Sequence, residues 1–128
     1  MSMIYKLSAQ KTFSSAHALR GYKGKCENIH GHNWRVTAIV EGRKLNNIGM
    51  LVDFHVIKDI LSGVVEPLDH TNLNEFSPFD KINPSAENIA GFVYARMKKA
   101  LKALGLGAVK LAEVTVWESE TSSAAVSE

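Results

Sequence analysis

The chain has 128 residues, 45% hydrophobic and 22% charged, which is the make-up of a single globular domain over 1–128 and excludes a disordered segment or a multidomain enzyme. Fifteen basic against 13 acidic residues leave a net charge of +2 with no long basic run, which argues against a nucleic-acid partner but not against a small anion. One cysteine, Cys26, excludes an internal disulfide framework, and no apolar run approaches the ~18 residues of a membrane helix, so the expected setting is the cytoplasm, without a membrane partner.

The first element has period two. Met3, Tyr5, Leu7, Ala9 and Phe13 alternate with Lys6, Ser8, Gln10 and Thr12, predicting a long strand that ends near His17. A connection over 18–29 contains Gly21 and Gly24. Alternation resumes at His32, with Trp34, Val36, Ala38 and Val40 on one face. The two strands most simply form an antiparallel pair, with an elaborated loop at the histidine end. The period then lengthens. Phe54, Ile57, Leu61 and Val64 predict a helix capped by Asp53 and ended by Pro67. Residues 69–84 read as loop. A second helix begins at Pro84-Ser85, carries Ile89, Phe92, Val93, Met97, Ala100, Leu101 and Leu104, and stops at Gly105. Residues 109–118 predict a third strand, and the small, Ser-rich tail over 121–126 has room for a fourth. The order ββααββ predicts an α+β fold, a four-stranded antiparallel sheet with two helices on one face.

His30-Gly31-His32 opens the second strand, and residues two apart on a strand share a face, about 6.6 Å apart at ~3.3 Å per residue. His17 ends the neighbouring strand. Three histidines on paired strands, with no fourth protein ligand in view, have the composition of a catalytic zinc site with an open position. His55 has no partner at metal spacing and reads as helix surface. Cys26 lies in a polar loop beside Lys25, near Lys23 and Arg20, where positive charge favours a thiolate. Asp69 beside His70 either orients an imidazole or forms a turn. Glu118, in line with Val114 and Val116, either stands in water at the sheet edge or faces a ligand.

Five blocks, taken in order, carry a family resemblance: Phe13-Ser14-Ser15-Ala16-His17, Cys26-Glu27-Asn28-Ile29-His30-Gly31-His32, Leu68-Asp69-His70-Thr71-Asn72-Leu73-Asn74, Asn83-Pro84-Ser85-Ala86-Glu87-Asn88 and Val116-Trp117-Glu118. Together they resemble the 6-pyruvoyl-tetrahydropterin synthase family. The Cys-x-x-x-His-Gly-His spacing is most similar to its bacterial 6-carboxy-5,6,7,8-tetrahydropterin synthase branch, in queuosine biosynthesis. The resemblance implies the tunnelling fold, or T-fold. It implies a lyase acting on 7,8-dihydroneopterin triphosphate and yielding 6-carboxytetrahydropterin, acetaldehyde and triphosphate. It also implies zinc on His17, His30 and His32, and Cys26 as proton acceptor. Asp69 and His70 would relay or donate protons, Glu118 would anchor the pterin, and Ser85 and Glu87 would make further pterin contacts.

The chemistry suits these side chains. A thiolate removes a carbon-bound proton, an imidazole returns one elsewhere, and a carboxylate pairs with the ring's N–H donors. Arg20, Lys23 and Lys25 are candidate attractors for the triphosphate. Some branches carry Glu-x-x-His-Gly-His, with Glu in the role of Cys, and both Cys26 and Glu27 are present here. The alternatives are therefore the 6-pyruvoyl-forming reaction or a non-catalytic pterin- or zinc-binding module. Two helices cover one sheet face only. The other face carries aromatic and β-branched side chains between open edges, which invite pairing with further copies. The resemblance implies a homohexamer of two stacked trimers, with sites at subunit interfaces.

Overall fold

The computed structural model describes residues 2–24 and 27–128. Two long strands, β1 (Tyr5–His17) and β2 (His30–Gly42), pair antiparallel along their whole length, from Tyr5 opposite Gly42 to His17 opposite His30. The helices α1 (Phe54–Val65) and α2 (Ala86–Ala103) follow, then β4 (Lys110–Trp117) and β5 (Ser123–Val126). Between the helices lies β3 (Thr71–Asn72), flanked by single 3-10 turns at Glu66–Leu68 and Leu73–Glu75. The sheet order is β3-β1-β2-β4-β5. Three of its pairings are antiparallel, while β3 runs parallel to β1 at Ser15 and Ala16. This two-residue strand makes the sheet five-stranded and mixed, where the sequence predicts four antiparallel strands.

The expected alternation sets the core. Ala9, Phe13, Trp34, Val36, Ala38, Val40, Val114 and Val116 are buried on the face that the helices cover. Helix α1 packs on β1, and α2 packs on β4 and β5. Asp53 caps α1, accepting from the His55 backbone N–H, as its position predicts. The buried stripe of α1 is Ile57, Ile60, Leu61 and Val65. Phe54, expected in that stripe, is 51% exposed, because the first helical residue turns outward at the cap. Leu104 is likewise exposed, at the α2 C-cap. The opposite sheet face presents Ser8, Gln10, Thr12, Asn33, Thr37 and Thr115, with Ile39 and Trp117 among them. Its one aromatic ring is engaged by Arg35, whose guanidinium carbon lies 4.7 Å from the Trp117 centroid. That face is therefore more polar than its β-branched content suggests. No helix among the described residues is long and apolar enough to cross a membrane.

Candidate metal centre and pterin site

The β1/β2 register sets His17 opposite His30, and His32 projects from the same face two residues on. The three rings are edge to face, with centroids 4.8 to 5.2 Å apart. Trp34 backs them, its ring 4.9 Å from His17 and 5.3 Å from His32, and its Nε1–H donates to the Ser15 carbonyl. This apolar wall leaves His17 only 2% exposed.

The outer nitrogens are fixed. His17 Nδ1 lies 2.7 Å from the Pro84 carbonyl oxygen, and His30 Nδ1 lies 2.9 Å from that of Asn28. A carbonyl only accepts, so each Nδ1 carries a proton, and in the neutral ring Nε2 is the nitrogen left to ligate. Burial is the largest influence on His32 and lowers its pKa, with His17 and His30 acting in the same sense against the opposing pull of Glu118. His32 is accordingly neutral at pH 7, the form that ligates a metal.

Glu118 completes the group. Its Oε1 is 2.9 Å from His32 Nε2 and 3.6 Å from His17 Nε2. The 2.9 Å approach is not aligned as a hydrogen bond, and both Nε2 atoms are buried without a partner. One donor atom from each of His17, His30, His32 and Glu118 lies within 4.8 Å of the others. Buried ring nitrogens left unpartnered are costly, and three imidazoles with a carboxylate are a donor set that suits a divalent metal. The sequence puts no fourth ligand in view. The structure brings in Glu118 because β2 pairs with β4 at Arg35–Trp117, which carries the next residue toward the His32 end of β2. The signal was the alternation Val114, Val116, Glu118.

The other expected site residues lie around this cluster. Asp69 and His70 sit across β1 on the edge remote from β2. Asp69 Oδ1 accepts from the Ser14 N–H at 2.8 Å, and the His70 N–H donates to the Ser14 carbonyl. Asp69 Oδ2 is 3.0 Å from His70 Nδ1. The Ser14 N–H, foremost, and the His70 ring hold the Asp69 carboxyl below its ordinary pKa. The pair makes the turn, and the His70 side chain, 82% exposed, lies beside the Asp69 carboxylate. It does not meet the histidine cluster of its own chain. Ser85 is the α2 N-cap, accepting from the Asn88 N–H, and Glu87 is exposed in the first turn. His55 lies on the surface beside Asp53.

Cys26 and Lys25 lie outside the described residues. Glu27 is tied to the chain leaving β1. Its Oε1 accepts from the Leu19 N–H, and its own N–H donates to the Leu19 carbonyl, both at 3.0 Å. Arg20, a candidate attractor for triphosphate, points its guanidinium at the carbonyls of Asn74, Phe79 and Ile82.

Residues 6–128 match the 6-pyruvoyl tetrahydropterin synthase family. The chain belongs to that family. It is 36% identical over 116 residues to dihydroneopterin monophosphate aldolase of Pyrococcus furiosus, a match covering 91% of this chain and 88% of the relative. It is 34% identical over 129 residues to 6-carboxy-5,6,7,8-tetrahydropterin synthase of Synechocystis, covering 97% and 92%. The structure of Caenorhabditis elegans 6-pyruvoyl tetrahydropterin synthase superposes with a TM-score of 0.83 at 26% identity, covering 99% of this chain and 97% of that one. The α+β sheet and helix layer are thus those of this family's T-fold, and the chain is a pterin lyase of the family. Among the described residues, its candidate metal ligands are those of the cluster above.

Proposed function

We propose that the chain is a zinc enzyme converting 7,8-dihydroneopterin triphosphate and one water to 6-carboxy-5,6,7,8-tetrahydropterin, acetaldehyde and triphosphate. The observation that carries this reading is the pair of buried, unpartnered Nε2 atoms of His17 and His32 beside His30 and Glu118. Relatives bearing the carboxytetrahydropterin synthase name, Synechocystis among them, support the reaction. His17, His30 and His32 would hold the ion through Nε2. When bound, zinc supplies a positive charge that acidifies the hydroxyls of the substrate side chain.

The residues of the chain supply the proton transfers and the binding. The Cys26 thiolate takes the proton from the side-chain carbon. His70, oriented by the Asp69 carboxylate, returns one. Glu118 pairs with the N–H and amino donors of the pterin ring, and Ser85 and Glu87 add further pterin contacts. Glu118→Gln is expected to raise KM while zinc is retained, because the amide loses charge and half its acceptor capacity. Loss of zinc equivalents from that variant would make Glu118 a fourth ligand instead of an anchor.

A second reading is favoured by the Pyrococcus furiosus relative, namely aldol cleavage of a dihydroneopterin phosphate. That reaction breaks the same side chain but releases a phosphorylated two-carbon aldehyde. Parallel incubations with dihydroneopterin triphosphate and dihydroneopterin monophosphate therefore decide between them. Acetaldehyde together with free triphosphate supports the carboxytetrahydropterin reaction. A phosphorylated aldehyde supports the aldolase. Triphosphate release alone supports the 6-pyruvoyl reaction.

The working form is proposed to be a homohexamer of two stacked trimers, about six times 14.1 kDa. Asp69 and His70 stand on the outer edge of β1, of which β3 covers only Ser15 and Ala16. The rest of that edge and the outer edge of β5 have no strand partner among the described residues, so a neighbouring copy can add there. An interface at the β1 edge would bring His70 of one copy to the metal cluster of the next. Mixed His30→Ala and His70→Ala chains are then expected to regain activity that neither variant has alone. A mixture that stays inactive, or light scattering that finds an active monomer, would refute the shared site.

A further inference from the structure

The chain leaving β1 is gripped by side-chain amides rather than by a strand. The Asn83 amide binds both backbone groups of Arg20, accepting its N–H at 2.8 Å and donating to its carbonyl at 2.9 Å. Asn74 does the same for Ala18, at 2.8 and 2.7 Å. Each amide imitates the two-bond exchange of an antiparallel residue pair. Arg20 answers with its side chain. One nitrogen donates to the Phe79 and Asn74 carbonyls at 2.7 and 3.2 Å, and the other to Ile82 at 3.3 Å. The residue after Asn83 is Pro84, whose buried carbonyl takes the His17 Nδ1 proton. His17 through Arg20, across to Asn83, on to Pro84 and back to the His17 ring is therefore a closed ring of covalent and hydrogen bonds.

We propose that Arg20 and Asn83 are positioning residues for His17, holding the Pro84 carbonyl where it fixes the imidazole as the Nδ1–H tautomer with Nε2 aimed into the cluster. The functional meaning rests on the metal reading above, while the tautomer does not. Proline has a fixed φ, so its carbonyl is placed between the residue before it and Ser85, the N-cap of α2, after it. The residue before it, Asn83, is held through its side-chain amide by the Arg20 backbone and through its carbonyl by the Asn88 amide, which donates to it at 2.9 Å. The planar guanidinium meets three carbonyls from two nitrogens in a fixed fork, a geometry that an ammonium does not reproduce.

The test uses Arg20→Ala and Asn83→Ala, with Arg20→Lys and Asn83→Asp as milder variants in case the first pair fails to fold. Leu101→Ala serves as a control, since it weakens the core at the far end of α2. Zinc affinity is read by competition with a chromogenic chelator. The His17 ring is read by imidazole ¹⁵N shifts in the metal-free protein. The alanine variants are expected to lose about 10- to 100-fold in zinc affinity, the usual cost of removing a partner behind a ligand, and to lose the single-tautomer signature. Arg20→Lys and Asn83→Asp should fall between these and the wild type. Leu101→Ala should melt earlier with zinc affinity and tautomer unchanged. Folded Arg20 and Asn83 variants with wild-type affinity and an intact Nδ1–H signal would overturn the proposal. A wild type that takes up no zinc overturns the proposed function instead, and the imidazole spectrum still decides on Arg20 and Asn83.

Discussion

His30→Ala is expected to lose both its zinc and its turnover. His30 stands at the open end of β2, opposite His17, with its Nδ1 on the Asn28 carbonyl and a ring nitrogen within 4.8 Å of the other donors of the cluster. A site with three histidines has no spare imidazole, and Glu118 already lies between His17 and His32. Removing His30 also opens one side of the ring cluster to water. His17→Ala and His32→Ala should behave alike, and His17→Ala should in addition destabilise the fold because its ring is packed against Trp34. His55→Ala should keep its full zinc equivalent, since that ring is paired with Asp53 on the surface of α1. Metal analysis after dialysis, run beside the acetaldehyde assay, checks all four. A His30→Ala protein that retains a full equivalent of zinc ends the three-histidine assignment.

The histidine cluster was legible because one periodicity and one strand pairing coincide there. Period two puts His30 and His32 on one face, and the simplest antiparallel pairing brings His17 alongside. What hid elsewhere had no periodicity to reveal it. Strand β3 is two residues long, too short for alternation, and it forms because Asp69 and His70 first bind both backbone groups of Ser14. Glu118 was readable as a ligand-facing residue only in part, since its companions Val114 and Val116 give its face, but the pairing of β4 with β2 gives its neighbours. Arg20 was open to two readings for a different reason. A cation in a Gly-rich loop looks like solvated surface or an anion site, and nothing local shows that the carbonyls it binds lie more than 50 positions away. The same distance in sequence separates Asn74 and Asn83 from the residues they grip.

Cys26→Ala is expected to bind zinc and substrate as the wild type does and to turn over ~10²- to 10⁴-fold more slowly, the usual contribution of a general base. Glu27→Ala is expected to cost far less. The reason lies in what Glu27 already does: its carboxylate accepts from the Leu19 N–H, and its own N–H returns a bond to the same residue. The Glu27 carboxylate is thus engaged in holding the connection between β1 and β2. The loss on removing it should therefore come through a loosened connection between β1 and β2, as a modest rise in KM. Glu27→Gln, which keeps an acceptor oxygen for Leu19, should recover most of that loss. Steady-state kcat and KM for Cys26→Ala, Glu27→Ala and Glu27→Gln separate the two roles. If Glu27→Gln falls by orders of magnitude in kcat while Cys26→Ala stays active, then Glu27 is the proton acceptor. The chain would then belong with the Glu-x-x-His-Gly-His branches, and acetaldehyde would no longer be the expected product.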